Sequence, residues 1–442
     1  MGWPDENQPD YRKFFPGSVL ETGYDILFFW VARMIMLSLE LTGKIPFEVV
    51  YLHGLVRDAN GRKMSKTLGN VTDPLEVISK YGTDALRFTL VTGSSAGRDI
   101  PLAEERVAAS RNFANKVWNI ARFVVNAVGS DASETALWAE PSSNEWTGLS
   151  LNLADHFILA QLTQLVHDVT QHLESFEIGD AGQKVYDFLW DDFADWYLEV
   201  AKAVLRTANG DSKAAAPSKR ILALTLDTSL RLLHPFMPFI TEAAYQRLPS
   251  AVSNGHGTAL MCQNWPMLRF PENQAAVTGF RRFQELVRKV RNARASYGVE
   301  PSRRIAAWVV VRSNNELEDF ITSYPSVFAS LAKIDEQQMH VVNVPPETDF
   351  IRKCVHVIVD ENIEAFLPAK GLFDVQVERE RLNKQVQKIG ADLAGLEKRL
   401  GARGFLQNAP PNIVEETKAK HQELKETITA IQQRLQLLED LA

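Results

Sequence analysis

Two lysines three residues apart, Lys63 and Lys66, form the strongest chemical signal in the sequence. They lie in a run from Gly61 to Asn70 that contains hydroxyl side chains and a second glycine, Gly69. Paired ammonium groups on a loop suit phosphate chemistry, because they can stabilise the negative charge that builds on phosphoryl oxygens in a transition state. The glycines would give such a loop hinge freedom. Lysine-rich loops are more often solvated surface, so the spacing alone leaves that alternative open.

Two predicted strand ends carry side chains that suit the same kind of site. Gly23 and Asp25 lie where a strand meets a helix, and a carboxylate there can accept hydrogen bonds from ribose hydroxyls. Asp25 would also serve as a helix N-cap, which the sequence alone slightly favours. His53 and Gly54 follow the next predicted strand. A lone histidine is more often a core or capping residue, so its role depends on other information.

These residues need a scaffold of parallel strands, and residues 1–103 predict one. Apolar runs at 18–20 and 49–52 predict two strands, and a helical pattern over 24–41 separates them. A strand–helix–strand order implies a parallel sheet that binds ligands at the carboxyl ends of its strands. We therefore predict half of a nucleotide-binding α/β domain here.

The remaining patterns predict three further units. Residues 104–270 predict a helical bundle whose aromatic side chains fill its core, and residues 271–367 predict a small α/β unit with valine-rich strands. In residues 368–442, leucine and isoleucine recur at alternating spacings on both sides of a Gly- and Pro-rich breaker. This pattern predicts an antiparallel coiled-coil hairpin, although a dimerisation helix pair would look the same. The predicted fold class is multidomain α/β plus all-α.

Composition limits the class of protein. With 442 residues, 45% hydrophobic and 23% charged, the chain fits a globular protein of several domains. The net charge of −7 means that nucleic-acid contact depends on local basic patches. Cys262 and Cys354 are far apart, which excludes a zinc ribbon and favours a reducing compartment. No apolar run reaches the roughly 18 residues that cross a bilayer, and we predict no metal site.

Basic side chains are concentrated on one predicted helix, residues 280–296, where six cations accompany only Glu285. In an acidic chain such a face suggests phosphate-backbone contacts, although a solvated face explains it equally well. The cations predicted to contact RNA are Arg288, Lys289, Arg291 and Arg294 on this helix and Lys398, Arg399 and Arg403 near the hairpin tip.

The run Lys63-Met64-Ser65-Lys66-Thr67 resembles the KMSKS loop of class I aminoacyl-tRNA synthetases, with threonine where serine is usual. Residues 51–58 and 71–76 resemble the valyl members of that family, as does the terminal hairpin. The segment 232–242 resembles one that is common in the anticodon-binding helical domain of the class Ia enzymes. The resemblance covers essentially the whole chain but only the C-terminal part of the family's architecture. It implies a partial Rossmann-type catalytic domain in 1–103, a helical anticodon-binding domain in 104–270, a small α/β domain and a coiled-coil tRNA-binding arm.

The resemblance also implies an activity and its residues. Such enzymes activate valine with ATP to valyl-adenylate, with Mg²⁺ expected, and transfer the acyl group to tRNA-Val. Lys63 and Lys66 would be catalytic, and Trp30 would wall the valine pocket, although a place in the helix core is an equally good reading of that tryptophan. The residues implied to contact ATP are Gly23, Asp25, His53, Gly54, Met64, Ser65 and Thr67.

Two features of the family are missing from the sequence. None of the nine histidines lies in a HIGH motif, and the editing domain that removes mischarged threonine is absent. We therefore expect a truncated or split synthetase, inactive alone and paired with a separate N-terminal half. The alternatives are an isoleucyl or leucyl relative and a non-catalytic tRNA-binding or assembly protein. We expect a cytoplasmic location, with an organellar matrix or stroma left open because the N-terminus looks truncated.

Overall fold

A computed structural model describes residues 2–93, 95–129, 150–209, 211–249, 258–270, 273–312, 315–372, 375–401 and 411–440. The chain divides into two compact units, Met1–Asn273 and Gln274–Ala442. Regular structure in the described residues is mostly helical, with small sheets. No helix in the described part of the chain is long and apolar enough to cross a membrane.

The first unit begins with a parallel pair of strands, β1 (Gly17–Gly23) and β2 (Phe47–His53), after a short helix α1 (Pro9–Phe14). Between the strands the chain forms a 3-10 turn, a π-helical turn (Leu27–Val31) and helix α2 (Ala32–Thr42). This confirms the predicted strand–helix–strand order. The break from one continuous helix into three types of turn was not predicted.

The lysine loop lies between a second pair of parallel strands, β3 (Val56–Arg57) and β4 (Ile100–Pro101). Helices α3 (Pro74–Tyr81) and α4 (Thr83–Thr92) fill the remainder of this segment. Asp73 caps α3 by accepting a hydrogen bond from the Leu75 amide at 2.8 Å, and Pro74 occupies the first turn, where proline needs no donor.

A helical bundle completes the first unit. Its core holds Phe113, Phe188, Trp196 and Phe236, which are buried, so the prediction of aromatic core residues is confirmed for these four. The helices are α5 (Glu104–Val128), α6 (Leu153–Glu174), α7 (Ile178–Asp187), a π-helical stretch (Phe188–Tyr197), α8 (Leu198–Thr207), α9 (Ser212–Leu233) and α10 (Pro238–Tyr245).

The second unit contains a four-stranded sheet in the order β6-β5-β8-β7, with β5 parallel to β6 and antiparallel to β8. The sequence patterns missed β8, because Glu364 interrupts its apolar run; the structure buries that carboxylate between Arg312 and His356. The elements are α11 (Gln274–Ser296), β5 (Ile305–Val311), α12 (Asn315–Ser323), α13 (Pro325–Ala332), β6 (Ile334–Val342), α14 (Thr348–Ile351), β7 (Cys354–Ile358), β8 (Ile363–Pro368) and α15 (Ala369–Leu372).

Two long helices, α16 (Val375–Gly401) and α17 (Pro411–Asp440), end the described chain. Leu382 packs on Ile431, and His421 pairs with Glu397 at 3.3 Å, so the two helices run in opposite directions. Val386, Ile389 and Leu435 pack against Leu382 and Ile431.

Candidate functional site

Asp58 is buried at the base of the lysine loop and holds it. Its Oδ1 accepts hydrogen bonds from the amides of Asn60 and Arg62 at 3.0 and 2.8 Å, and its Oδ2 accepts from Arg62 Nε at 2.9 Å. The Gly61 amide donates to the Asp58 carbonyl at 2.9 Å, as in a turn with aspartate first and glycine last. Hydrogen bonds from Asn70 and the Arg62 amide lower the pKa of Asp58 to about 2, so this anchor stays charged near neutral pH.

Asn70 closes the loop from its other end. Its Nδ2 donates to Asp58 Oδ2 at 3.0 Å and to the Lys63 carbonyl at 3.2 Å, while its Oδ1 accepts from the Ser65 amide at 2.9 Å. The loop from Asp58 to Asn70 is therefore a ring closed by side chains. Neither residue is among the predicted site residues; the only sequence signal is the Asp-x-x-Gly turn pattern.

The two lysines follow the closed base of this ring. Lys63 is exposed, and its backbone forms an isolated antiparallel bridge with Arg57. Lys66 begins a 3-10 turn, Lys66–Leu68, and its side chain lies outside the described residues. The structure thus shows the backbone path that presents both ammonium groups but locates only the side chain of Lys63.

The residues between and after the lysines are ordered by local hydrogen bonds. The Leu68 amide donates to the carbonyl and to the Oγ of Ser65, each at 3.2 Å. Met64 and Ser65 are half-buried, and Thr67 is exposed. The Ser65 hydroxyl therefore shapes the turn.

A second aspartate, Asp99, ties the strand before the loop to the segment after α4. Its Oδ1 accepts from the Leu55 amide at 2.8 Å, and its Oδ2 contacts Arg57 Nε and Nη2 at 2.5 Å. The hydrogen bond from the Leu55 amide, with the Arg57 guanidinium, holds the pKa of Asp99 below its usual value. Sequence patterns could not identify this contact, because it joins residues more than 40 positions apart.

The carboxyl ends of β1 and β2 bring three predicted site residues together. Gly23 is the register partner of His53, and a Cβ built on Gly23 would lie 2.8 Å from Asp25 Oδ1 and 3.6 Å from His53 Cε1. The His53 ring is 38% exposed and pairs with Glu21 at 3.3 Å. Asp25 lies inside the first 3-10 turn, whose N-cap is Gly23, so the alternative role of Asp25 as an N-cap is wrong.

Gly54 lies against another part of the backbone. A Cβ built on it would be 1.6 Å from the carbonyl oxygen of Arg98, which no side chain can tolerate. The requirement for glycine at this position therefore has a cause within the fold.

Trp30 lies in the π-helical turn and is 56% exposed, next to Phe28 at 87% and Phe29 at 52%. The reading of Trp30 as a helix-core residue is therefore wrong for this chain. No residue of α2 is buried either, and its exposed apolar side chains include Met36, Leu37 and Leu41.

One basic side chain of helix α11 is buried and hydrogen-bonded inside the fold. Arg294 is buried, and its guanidinium donates to the carbonyls of Lys333, Glu300 and Arg303 at 2.9, 3.2 and 2.7 Å. A buried guanidinium with three carbonyl acceptors stabilises the fold, so the structure gives Arg294 a packing role that the sequence did not predict.

The other predicted RNA contacts are more accessible. Lys289 Nζ donates to the Ile358 carbonyl at 2.9 Å, Arg291 Nε donates to the Leu331 carbonyl at 2.6 Å, and Arg288 is exposed. Lys398 is exposed on α16. The side chain of Arg399 and the whole of Arg403 lie outside the described residues. Their contact with RNA stays a prediction.

One group of potential cation ligands occurs among the described residues. His172, Glu177 and Asp180 in the helical bundle offer ligand atoms within 4.8 Å of one another. His172 Nδ1 already lies 2.6 Å from Glu177 Oε2, so this cluster does not by itself define a metal site.

Three family models match parts of the chain. Residues 1–103 match class I tRNA synthetases for isoleucine, leucine, methionine and valine. Residues 155–309 match the anticodon-binding domain of tRNA ligases, and residues 374–439 match the tRNA binding arm of valyl-tRNA synthetase. The anticodon-binding match extends past residue 270, where the sequence patterns end the predicted helical unit.

Named relatives agree with the family models. A chloroplastic/mitochondrial valine–tRNA ligase of Arabidopsis thaliana is 41% identical over 442 residues, covering 99% of this chain and 44% of the relative. The valine–tRNA ligase of Geobacillus stearothermophilus is 41% identical over 441 residues, covering 98% of this chain and 47% of the relative. Among solved structures, a LeuRS–tRNA–LeuAMS complex from Agrobacterium radiobacter K84 matches 60% of this chain and 30% of that chain, with 25% identity and a TM-score of 0.44.

The class of protein that the family models and relatives indicate is the class I aminoacyl-tRNA synthetases. The chain spans about half the length of the curated relatives it matches. Within the class, the similarity is to the valyl-tRNA synthetases, since residues 374–439 match their tRNA binding arm and the relatives that are 41% identical are valine–tRNA ligases.

Proposed function

We propose that this chain is the part of a valine–tRNA ligase that carries the phosphate-binding loop and the tRNA-binding surfaces. The observation that supports this most is the side-chain-closed loop of Lys63 and Lys66 in a chain whose relatives are valine–tRNA ligases. In the proposed reaction the valine carboxylate attacks the α-phosphorus of ATP, the bond to pyrophosphate breaks, and valyl-adenylate forms. The acyl group then passes to a terminal ribose hydroxyl of tRNA-Val and AMP leaves.

The two lysines would stabilise negative charge in the transition state. As the carboxylate attacks, negative charge grows on the phosphoryl oxygens, and ammonium groups that are already in place stabilise it without reorganising. Gly23, Asp25 and His53 lie together at the ends of parallel strands, where this kind of sheet binds ligands. We propose that they contact the adenosine part of ATP.

Mg²⁺ accompanies ATP in the proposed reaction, as the family resemblance implies. The closed loop does not supply it with a carboxylate, because both oxygens of Asp58 accept hydrogen bonds from Asn60, Arg62 and Asn70. We therefore assign this chain's loop residues to ATP itself and no step to the ion.

The tRNA would be bound by the later parts of the chain. We propose that residues 104–270 form the anticodon-binding domain, that 271–367 form a small α/β domain and that 368–442 form a coiled-coil arm. The opposite directions of α16 and α17 and their apolar contacts support the arm. Arg288, Lys398 and neighbouring cations would contact phosphates, and the cytoplasm is the proposed location.

The exposed apolar surface of the first unit supports the proposed N-terminal half as a partner. Helix α2 buries none of its 11 residues, and β1 pairs with β2 alone among the described strands. Parallel sheets are normally covered on both faces, so an exposed parallel pair beside an apolar helix fits the missing part of an α/β domain. Covering this surface would also enclose Trp30 and complete a pocket for the valine side chain.

Valine-dependent ATP–pyrophosphate exchange tests the proposal. We expect no exchange from the chain alone, and exchange when it is mixed with the N-terminal half of a relative such as the Geobacillus enzyme. Lys66→Ala in the mixture should lower the rate by about 100-fold, because it removes one charge that acts in the transition state. Exchange by the chain alone would contradict the need for a partner. A mixture that binds tRNA-Val but gives no exchange would favour the non-catalytic tRNA-binding alternative.

A further inference from the structure

Asn70 contacts the backbone on both sides of Met64. Its Nδ2 donates to the Lys63 carbonyl at 3.2 Å, and its Oδ1 accepts from the Ser65 amide at 2.9 Å. A carbonyl and an amide placed two residues apart are the groups that a neighbouring β-strand binds in a ladder. The carboxamide of Asn70 therefore takes the place of a strand partner for this segment.

Few side chains could replace it. A carboxamide has one acceptor and two donor hydrogens, and Asn70 uses its second donor on Asp58 Oδ2 at 3.0 Å. An ionised aspartate has acceptors only, and glutamine would place the same amide one methylene further away. The site thus requires a donor and an acceptor at the distance that asparagine provides.

We propose that Asn70 is a positioning residue that fixes the backbone between Lys63 and Lys66 before any ligand binds. It acts through the lysines, since it restrains the carbonyl of Lys63 and the amide of Ser65, immediately before Lys66. Charged groups stabilise a transition state most when they do not have to reorganise. The effect on catalysis rests on the proposed function, whereas the restraint on the loop does not.

Hydrogen exchange tests the restraint on the chain as it is. Asn70→Ala should lower the protection of the Ser65 amide by about tenfold, the usual size for the loss of such a bond. Trypsin should cleave after Arg62, Lys63 or Lys66 correspondingly faster. Asn60→Ala is the matched control, because Asn60 is exposed in the same loop. Equal protection in wild type and Asn70→Ala would overturn the proposal.

Asn70→Asp adds a test that a general loss of structure would not reproduce. The new carboxylate would lie about 3 Å from Asp58 Oδ2, with Arg62 on the other side of Asp58, so repulsion opens the loop once both acids are ionised. Protection of Ser65, normalised to the unstructured peptide, should fall as the pH rises through the pKa of the new carboxyl, which the Asp58 charge raises, and stay constant in wild type and Asn60→Asp. A loss of protection that does not depend on pH would overturn the geometry.

The effect of Asn70 on catalysis is measured in the mixture of this chain with the N-terminal half. Asn70→Ala should lower kcat for pyrophosphate exchange by about tenfold with little change in KM for ATP, because preorganisation acts on the transition state. Wild-type kcat in that variant would overturn the positioning role. If the wild-type mixture itself is inactive, the proposed function fails, and the exchange measurements on Ser65 still decide the restraint.

Discussion

Asp84 accepts a hydrogen bond from the backbone amide of Ile240 at 2.7 Å, although 156 positions separate them. The Phe239 amide donates to the same carboxylate at 3.3 Å. Both amides belong to the first turn of α10, so a side chain on α4 satisfies donors that this helix cannot pair itself. The segment that follows the lysine loop is thereby fixed to the helical bundle within the first unit.

Asp84→Ala should destabilise the first unit by about 1–2 kcal/mol, the usual cost of losing an N-terminal cap. The melting temperature of this unit, followed by calorimetry, measures the change. Asp10→Ala is the control, because Asp10 is an exposed carboxylate in the first turn of α1. Equal losses in the two variants would show that the contact with α10 contributes nothing specific.

Asp155 should make stability depend on pH. Burial raises its pKa from 3.8 to about 6, while the Asn152 amide and the Tyr197 hydroxyl donate to it at 3.0 and 2.8 Å. The folded state therefore holds a proton that the unfolded chain releases, and this contribution, about 3 kcal/mol, is lost as pH rises from about 4 to about 6.

Asp155→Asn isolates that contribution, because asparagine does not titrate. The difference in unfolding free energy between wild type and variant should shrink as pH rises across this window, when both are measured by urea denaturation. A difference that is the same at pH 4 and pH 7 would mean that Asp155 is ionised throughout. Asp180→Asn, at an exposed position on α7, controls for general charge effects.

Phe28→Ser should leave the stability of the isolated chain within about 0.5 kcal/mol of wild type, because the side chain is 87% exposed and little of its surface is buried. The same substitution should reduce binding of an apolar dye and weaken association with the N-terminal half. Phe113→Ser, in the bundle core, should instead lower the melting temperature sharply. Unchanged association with the N-terminal half would contradict the proposed docking of that surface.

Two arginines on α11 should separate folding from RNA binding. Arg294→Ala should destabilise the second unit by about 2–4 kcal/mol, because it removes a buried guanidinium that donates to three carbonyls. Arg288→Ala should leave stability nearly unchanged and lower affinity for tRNA-Val, with a shallower dependence on salt. If neither variant loses affinity for tRNA-Val, α11 does not belong to the proposed tRNA-binding surface.

Patterns that repeat along the chain predicted its regular elements well. The parallel strands around residues 18–20 and 49–52 follow from local spacing. Leu382 and Ile431, which pack on each other, belong to the terminal leucine and isoleucine repeats. Local patterns do not reveal whether an apolar face has a partner. The structure leaves every residue of α2 partly or fully exposed, although many of its side chains are apolar.

The residues of the candidate site likewise fall into two groups, those that the sequence singled out and those that only the structure reveals. The lysine spacing and the glycines at strand ends singled out their segments in the sequence, because these residues differ from their surroundings in type. The sequence did not single out Asp58, Asn70 and Asp99. Their roles depend on the particular atoms to which they hydrogen-bond, which residue type alone does not reveal. Arg294 resembled its exposed neighbours in sequence, and only the fold distinguishes it from them.

Gly54 carries a consequence for any survey of tolerated substitutions. Its Cα faces the Arg98 carbonyl so closely that even alanine would collide with it. A saturation library at this codon should therefore recover glycine alone, at the same frequency whether selection is for enzyme activity or merely for soluble expression. Invariance at this position, although it lies beside a proposed adenosine site, would result from the close approach of two main-chain segments and not from nucleotide binding.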